Sequence, residues 1–178
     1  LVSVMEKLAA APKRLADLNN DYSTLEMWHE TGAQREGTIR RQTGFVASPA
    51  DLVLSGPHFF VGNPLNKTPR AVCTEKGHYD ALDLENLPDD YIPRSNYVRA
   101  CDQATYTARV LKASWVDADA TLARPVTAYY RHVNREMAAQ SGERTLIPAL
   151  IPPGVAHVHT CISTAFHRTS DLLDFHGL

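Results

Sequence analysis

A chain of 178 residues with 44% apolar content can bury one sizeable core, so one domain is expected. A formal net charge of −2 excludes a general basic coat and nucleic-acid binding by bulk charge alone, but leaves room for a local basic face. Cys73, Cys101 and Cys161 are odd in number and widely spaced, which suits free thiols in a reducing cytosol. No apolar run reaches membrane-spanning length, so no membrane partner is expected.

Along the chain, Val2 to Leu18 reads as helical, with a break or restart at Pro12. Asn19-Asn20-Asp21 signals a turn, and Tyr22 to Glu30 reads as a short helix capped near Ser23 or Thr24. Gly32 to Gly44 is polar and gathers Arg35, Arg40 and Arg41. Asp51 to Leu54 and His58 to Val61 have strand character on either side of Ser55-Gly56-Pro57. Asn63 to Pro69 is a loop by its prolines and asparagines, and Asp80 to Asp90 is an acidic, solvated connector. Tyr91 to Val98 should run extended, Asp102 to Lys112 should be helical, and Asp117 to Arg124 should be a linker. The ends read as helical and the middle as strand and loop. The expected class is α+β, with mixed helices around a small, mainly antiparallel sheet.

The segment from Val126 to Phe166 carries the most information. Pro125 can start a helix because its missing N–H is one that a first turn leaves unpaired. The spacing then predicts a helix from Val126 to Gln140, stopped by Ser141-Gly142. On it Arg131 and Arg135, four apart, would leave one face, with Tyr130 and Asn134 in a parallel row. Two cations beside an aromatic ring and an amide can grip phosphate and read a base edge. Leu146 to Ile151, Pro152-Pro153-Gly154 and the β-rich run beyond read as strand, tight turn and returning strand. Elsewhere the candidates for nucleic-acid contact are Lys67 and Arg70 in one loop, Arg94 with Asn96 and Tyr97, and Arg144. For any one of these cations, a solvated surface charge or an internal ion pair is the competing explanation.

Several strings resemble the C-terminal, target-recognition region of bacterial type II restriction enzyme methylase subunits, which methylate adenine N6. They are Met27-Trp28-His29-Glu30, Gly37-Thr38-Ile39-Arg40-Arg41, Ser55-Gly56-Pro57-His58-Phe59-Phe60 and Ser141-Gly142-Glu143-Arg144-Thr145-Leu146. The resemblance implies a DNA-reading module of residues 1–178 cut from a larger restriction–modification polypeptide associated with phage defence. A start at Leu1 and an end after Phe175-His176-Gly177-Leu178 without a clear helix stop fit such a fragment. It further implies double-stranded DNA and the catalytic core of the same polypeptide as partners, and S-adenosylmethionine in that parent chain.

No cofactor is expected in the fragment itself. No Gly-x-Gly offers close backbone approach to S-adenosylmethionine, and Asn63-Pro64-Leu65 lacks the second proline and the aromatic ring that an adenine-methylating motif stacks on its base. His157, His159 and Cys161 alternate as if on one strand face, yet structural zinc needs four ligands and no Cys-x-x-Cys is present. The two histidines are better read as DNA contacts. Ser55-Gly56 and Ser141-Gly142 lack a nucleophile elbow, and Pro88-Asp89 has no downstream Glu-x-Lys. The leading expectation is a cytoplasmic, non-catalytic specificity domain. The alternatives are a protein-docking module of a defence complex and a histidine- and metal-dependent hydrolase or nuclease.

Overall fold

A computed structural model describes residues 2–10, 13–59, 64–75, 77–137 and 146–177. The class is α+β: four short helices surround a set of small sheets, nearly all antiparallel. The helices are α1 (Val2–Ala9), α2 (Glu30–Arg35), α3 (Gln103–Arg109) and α4 (Thr169–His176). The strands are β1 (Tyr22–Leu25), β2 (Ile39–Gly44), β3 (Val53–Leu54), β4 (Lys67–Pro69), β5 (Tyr79–Ala81), β6 (Ser95–Arg99), β7 (Arg131–Arg135), β8 (Pro148–Ile151), β9 (Ala156–His157) and β10 (Cys161–Phe166).

The largest sheet is four-stranded in the order β1-β10-β7-β8. Its register places Ala165, Arg131 and Ile151 in one cross-strand row and Thr24, Thr164, His132 and Leu150 in another. Because side chains alternate across a strand, these rows leave opposite faces. The face bearing Thr164 and His132 is covered by α4, where Leu172 joins Phe166 and Leu18 in a small core. The other face meets the parallel pair β3–β9, and two larger cores fill the space between. One holds Trp28, Ile39, Tyr97, Trp115, Val126 and Val158; the other holds Leu54, Phe59, Val133, Ile151 and Val155. Beside them β2 pairs with β6 and β4 with β5.

Several expectations fail for tertiary reasons; β4 (Lys67–Pro69), paired with β5, stands within the loop expected over Asn63 to Pro69. Where a helix is predicted over Val126–Gln140, the described part is a 3-10 turn at Val126–Ala128 followed by β7, paired on both sides. Arg131, Val133 and Arg135 do alternate with His132 and Asn134. An arginine at an inward position scores as polar and hides that two-residue period. The short helix expected at Tyr22–Glu30 is β1, stabilised by pairing with β10 and by a 3.0 Å hydrogen bond between the Thr24 and Thr164 hydroxyls. Finally, β8 does not turn back on itself through Pro152-Pro153-Gly154. It pairs with β7, and the chain crosses to lie parallel to β3 as β9.

Gly154 makes that crossing possible. Its φ is +89°, and its N–H donates to the Thr127 carbonyl at 2.7 Å. A Cβ added there would stand 2.8 Å from Ala50 Cα, which is backbone and cannot swing aside. Gly154→Ala should therefore cost on the order of 2–3 kcal/mol, from backbone strain and overpacking together. Urea unfolding checks this; a loss under about 0.5 kcal/mol, the range of an ordinary surface change, would contradict the turn geometry.

Candidate functional site: a polar cleft among three sheets

A cleft of about 750 Å³ opens where β2–β6, β4–β5 and the end of β7 come together. Three cations line it, one from each sheet: Arg41 on β2, Lys67 on β4 and Arg135 on β7. Two carboxylates, Glu30 and Glu75, also line it. The Arg41 guanidinium donates to the Cys73 carbonyl at 3.1 Å, which fixes one end of that long side chain.

The floor of the cleft is an ordered hydrogen-bond chain. Thr43 Oγ1 donates to Asn96 Oδ1 at 2.9 Å, and Asn96 Nδ2 donates to the Tyr79 hydroxyl at 2.6 Å. Burial pushes the Tyr79 phenol up to about 12. Burial also raises Tyr97, and the neighbouring Glu30 carboxylate raises it further. Both phenols therefore stay protonated near neutrality and remain able to donate. Below them His58 is fully buried. Its Nε2 lies 3.0 Å from the Arg94 carbonyl, which can only accept, so that nitrogen carries the proton. Nδ1 is then the acceptor for the Ser55 N–H at 3.1 Å. Burial holds this imidazole below its usual range, hence neutral.

The sequence candidates divide sharply by position. Lys67 and Arg135 lie on the cleft. Asn96, also on its lining, is buried and already bonded to Thr43 and Tyr79, so its amide is not spare for a base. Arg70 lies outside the cleft lining and pairs with Asp80 at 2.8 Å, both exposed, as the ion-pair alternative anticipated. Arg94 is half-buried, donating to the Pro69 carbonyl at 3.2 Å with its guanidinium 4.4 Å from the Phe45 ring centre. Tyr130 is exposed and free of the helical row foreseen for it. Asn134 is half-buried and donates to the Arg135 carbonyl at 2.9 Å. Arg144 lies outside the described residues.

Arg131 and His157 are corrected outright: both are 0% exposed, so neither offers a surface to DNA. They belong to an interior relay. The Arg131 guanidinium donates to the Val155 carbonyl and to Ser163 Oγ at 3.3 Å. Ser163 Oγ sits 2.7 Å from His157 Nε2, and His157 Nδ1 is 3.1 Å from the Val158 carbonyl. Since that carbonyl only accepts, His157 donates through Nδ1 and accepts the Ser163 proton at Nε2. Burial, then the Arg131 charge, lowers His157 to about 3. With both nitrogens engaged, His157 does not join His159 and Cys161 as a ligand set, and no metal-holding group of three or more occurs among the described residues. His159 is half-buried instead, accepting from the Glu30 N–H at 3.3 Å and stacking on His29 at 4.7 Å.

Tyr97, a candidate beside Asn96, lies on the cleft lining, whereas Glu30, Arg41 and Tyr79 carry no candidate role in the sequence reading. The Arg40-Arg41 doublet was a usable signal for one of them; nothing local marks the others. No family model matches the chain, and no curated protein or solved structure shows significant similarity to it.

Proposed function

We propose that this chain is the DNA sequence-recognition part of a restriction–modification type adenine DNA methyltransferase. It works in the cytoplasm on double-stranded DNA, next to the catalytic core of the same polypeptide. The observation that supports this reading most is the convergence of Arg41, Lys67 and Arg135 from three sheets on one cleft. Three cations against two carboxylates, Glu30 and Glu75, leave the cleft lining net positive in a chain of net charge −2, a local attraction for phosphate without a basic coat. Three unbridged cysteines accord with a reducing compartment, and no helix among the described residues is long and apolar enough to cross a membrane. S-adenosylmethionine and methyl transfer belong to the core: Gly56 and Gly77 stand singly on the cleft, and no Gly-x-Gly turn occurs in the chain.

Titration of labelled random-sequence duplex DNA at low and moderate salt, followed by selection of bound sequences, tests the assignment. Binding should fall with salt, and an enriched motif should emerge. Arg41→Ala, Lys67→Ala and Arg135→Ala should each reduce the log–log salt slope by about 1, the loss of one phosphate contact. Lys112→Ala, at an exposed position away from the cleft lining, should leave it unchanged. Equal slopes for all four variants would remove the cleft from the DNA-contacting surface.

A further inference from the structure

The backbone brings Glu30 to the same part of the cleft as Arg135. Glu30 opens α2, and its N–H donates to His159 Nδ1 at 3.3 Å, which ties the start of that helix to the connection between β9 and β10. Just beyond, Cys161 is the cross-strand partner of Arg135, and the Glu136 N–H donates to the Thr160 carbonyl at 3.1 Å. One short stretch, His159 to Cys161, therefore anchors both residues, and both line the cleft. The Cys161 thiol registers both charges. Burial raises it most, Arg135 lowers it, and the Glu136 and Glu30 carboxylates raise it again.

Arg41 reaches Glu30 from the other wall. Arg41 and Tyr97 are cross-strand partners on β2 and β6, and such pairs share one face. The Tyr97 hydroxyl donates to the Glu30 carboxylate. Burial raises this phenol most, Glu30 raises it further and Arg41 lowers it. Glu75, the other carboxylate on the lining, is placed differently: its side chain is 78% exposed and lies 3.8 Å from His78. Water screens a carboxylate at such a position, whereas Glu30 is half-buried beside a buried phenol.

We infer that Glu30 is a built-in counter-ion of Arg41 and Arg135, which an incoming phosphate has to displace. The phosphate is that of the DNA-reading assignment above, and the inference adds a brake on its capture. Two guanidinium groups that already face a carboxylate give an anion only the difference between its own attraction and that of Glu30. The cleft thereby holds phosphate more weakly than its three cations alone would.

Calorimetric titration with inorganic tripolyphosphate tests the inference without DNA. Glu30→Gln, which keeps the shape and an acceptor oxygen for Tyr97, should tighten binding about tenfold, and Glu75→Gln should change it by less than about twofold. In an Arg41→Ala/Arg135→Ala background the gain from Glu30→Gln should vanish, because the carboxylate acts through those two cations. A merely structural role at the start of α2 would lower melting temperature and affinity together instead of raising affinity. Equal gains from the two glutamate variants, a gain that survives without the arginines, or no gain would each overturn the counter-ion. Labelled duplex DNA at fixed salt separates this result from the reading beneath it. Glu30→Gln should tighten duplex binding as well. A tripolyphosphate gain with no duplex binding by any variant would overturn the DNA assignment and leave the counter-ion standing.

Discussion

Arg131→Ala is expected to destabilise the protein by about 3–5 kcal/mol, whereas Arg131→Met should cost no more than about 1.5 kcal/mol. The guanidinium is fully buried and faces no carboxylate: its partners are the Val155 carbonyl, Ser163 Oγ and, at 3.9 Å, Met27 Sδ. Burial draws its pKa down to about 10, so it remains a cation at neutral pH. Its Nε has no hydrogen-bond partner among the described residues. Alanine would leave a cavity beneath β7 and orphan two acceptors, each expensive in the interior. Methionine keeps most of the volume and removes a desolvated charge, and that gain offsets much of the lost hydrogen bonding. In a domain of this size each kcal/mol corresponds to roughly 2–4 °C in Tm, so the alanine variant should melt about 10 °C lower. Urea and thermal unfolding read the difference. If both variants instead lost less than about 1 kcal/mol while DNA affinity fell tenfold, Arg131 would be a surface contact, as its spacing in the sequence suggests.

That contrast marks where the sequence is a good guide and where it is not. Local chemistry reads well. The helix expected over Asp102 to Lys112 is α3, shortened by a few residues, and Asp102 caps it by accepting from the Thr105 N–H at 2.9 Å. The apolar run ending at Ile151 is a strand, as is the extended stretch after Pro93. Ser55 does end β3, but Gly56 and Pro57 already belong to a 3-10 turn, Gly56–Phe59, where a strand is expected from His58, whose ring is buried under Arg94. Elements defined by distant partners are misread. The identity of β7 depends on β10 and β8, and β1 is four residues long and extended because β10 lies beside it.

The candidate site follows the same division. Residue types suited to phosphate were visible, but their grouping was not. Arg41, Lys67 and Arg135 are brought together by three separate strand pairings, while Asn96, Arg131 and His157 are drawn inward to satisfy buried partners. A polar residue in an alternating stretch can be turned toward solvent or engaged inside, and composition alone treats the two alike.

Unfolding below neutral pH should be steep, with close to two protons taken up per molecule near pH 5 by His132 and His157, and His58 adding to the uptake in the same direction. His58, His132 and His157 are all buried and held neutral, and in each case burial is the main cause. His157 is lowered to about 3. His132 is lowered to about 4, with His176 adding to burial from 3.1 Å away. In the unfolded chain each titrates near its ordinary value of about 6.5. Above that pH neither state binds the proton and stability is flat. Below it the unfolded state is protonated first, so stability falls with pH until the folded-state pKa is reached. At about 1.4 kcal/mol per pH unit, His157 and His132 should each withdraw roughly 2 kcal/mol between pH 6.5 and 5, and His58 acts in the same direction. Asp171 works in a lower window: Lys13 at 2.6 Å depresses its carboxyl, so its contribution is lost only under more acid conditions. Urea midpoints at pH 7.5, 6 and 5 give the proton uptake from the slope of stability against pH. His157→Gln, which can still accept from Ser163 and donate to the Val158 carbonyl, should reduce that uptake by about one proton. An uptake below one proton in the parent protein would mean that these rings are reachable by solvent, and the relay joining Arg131, Ser163 and His157 would then lie at a surface rather than in the core.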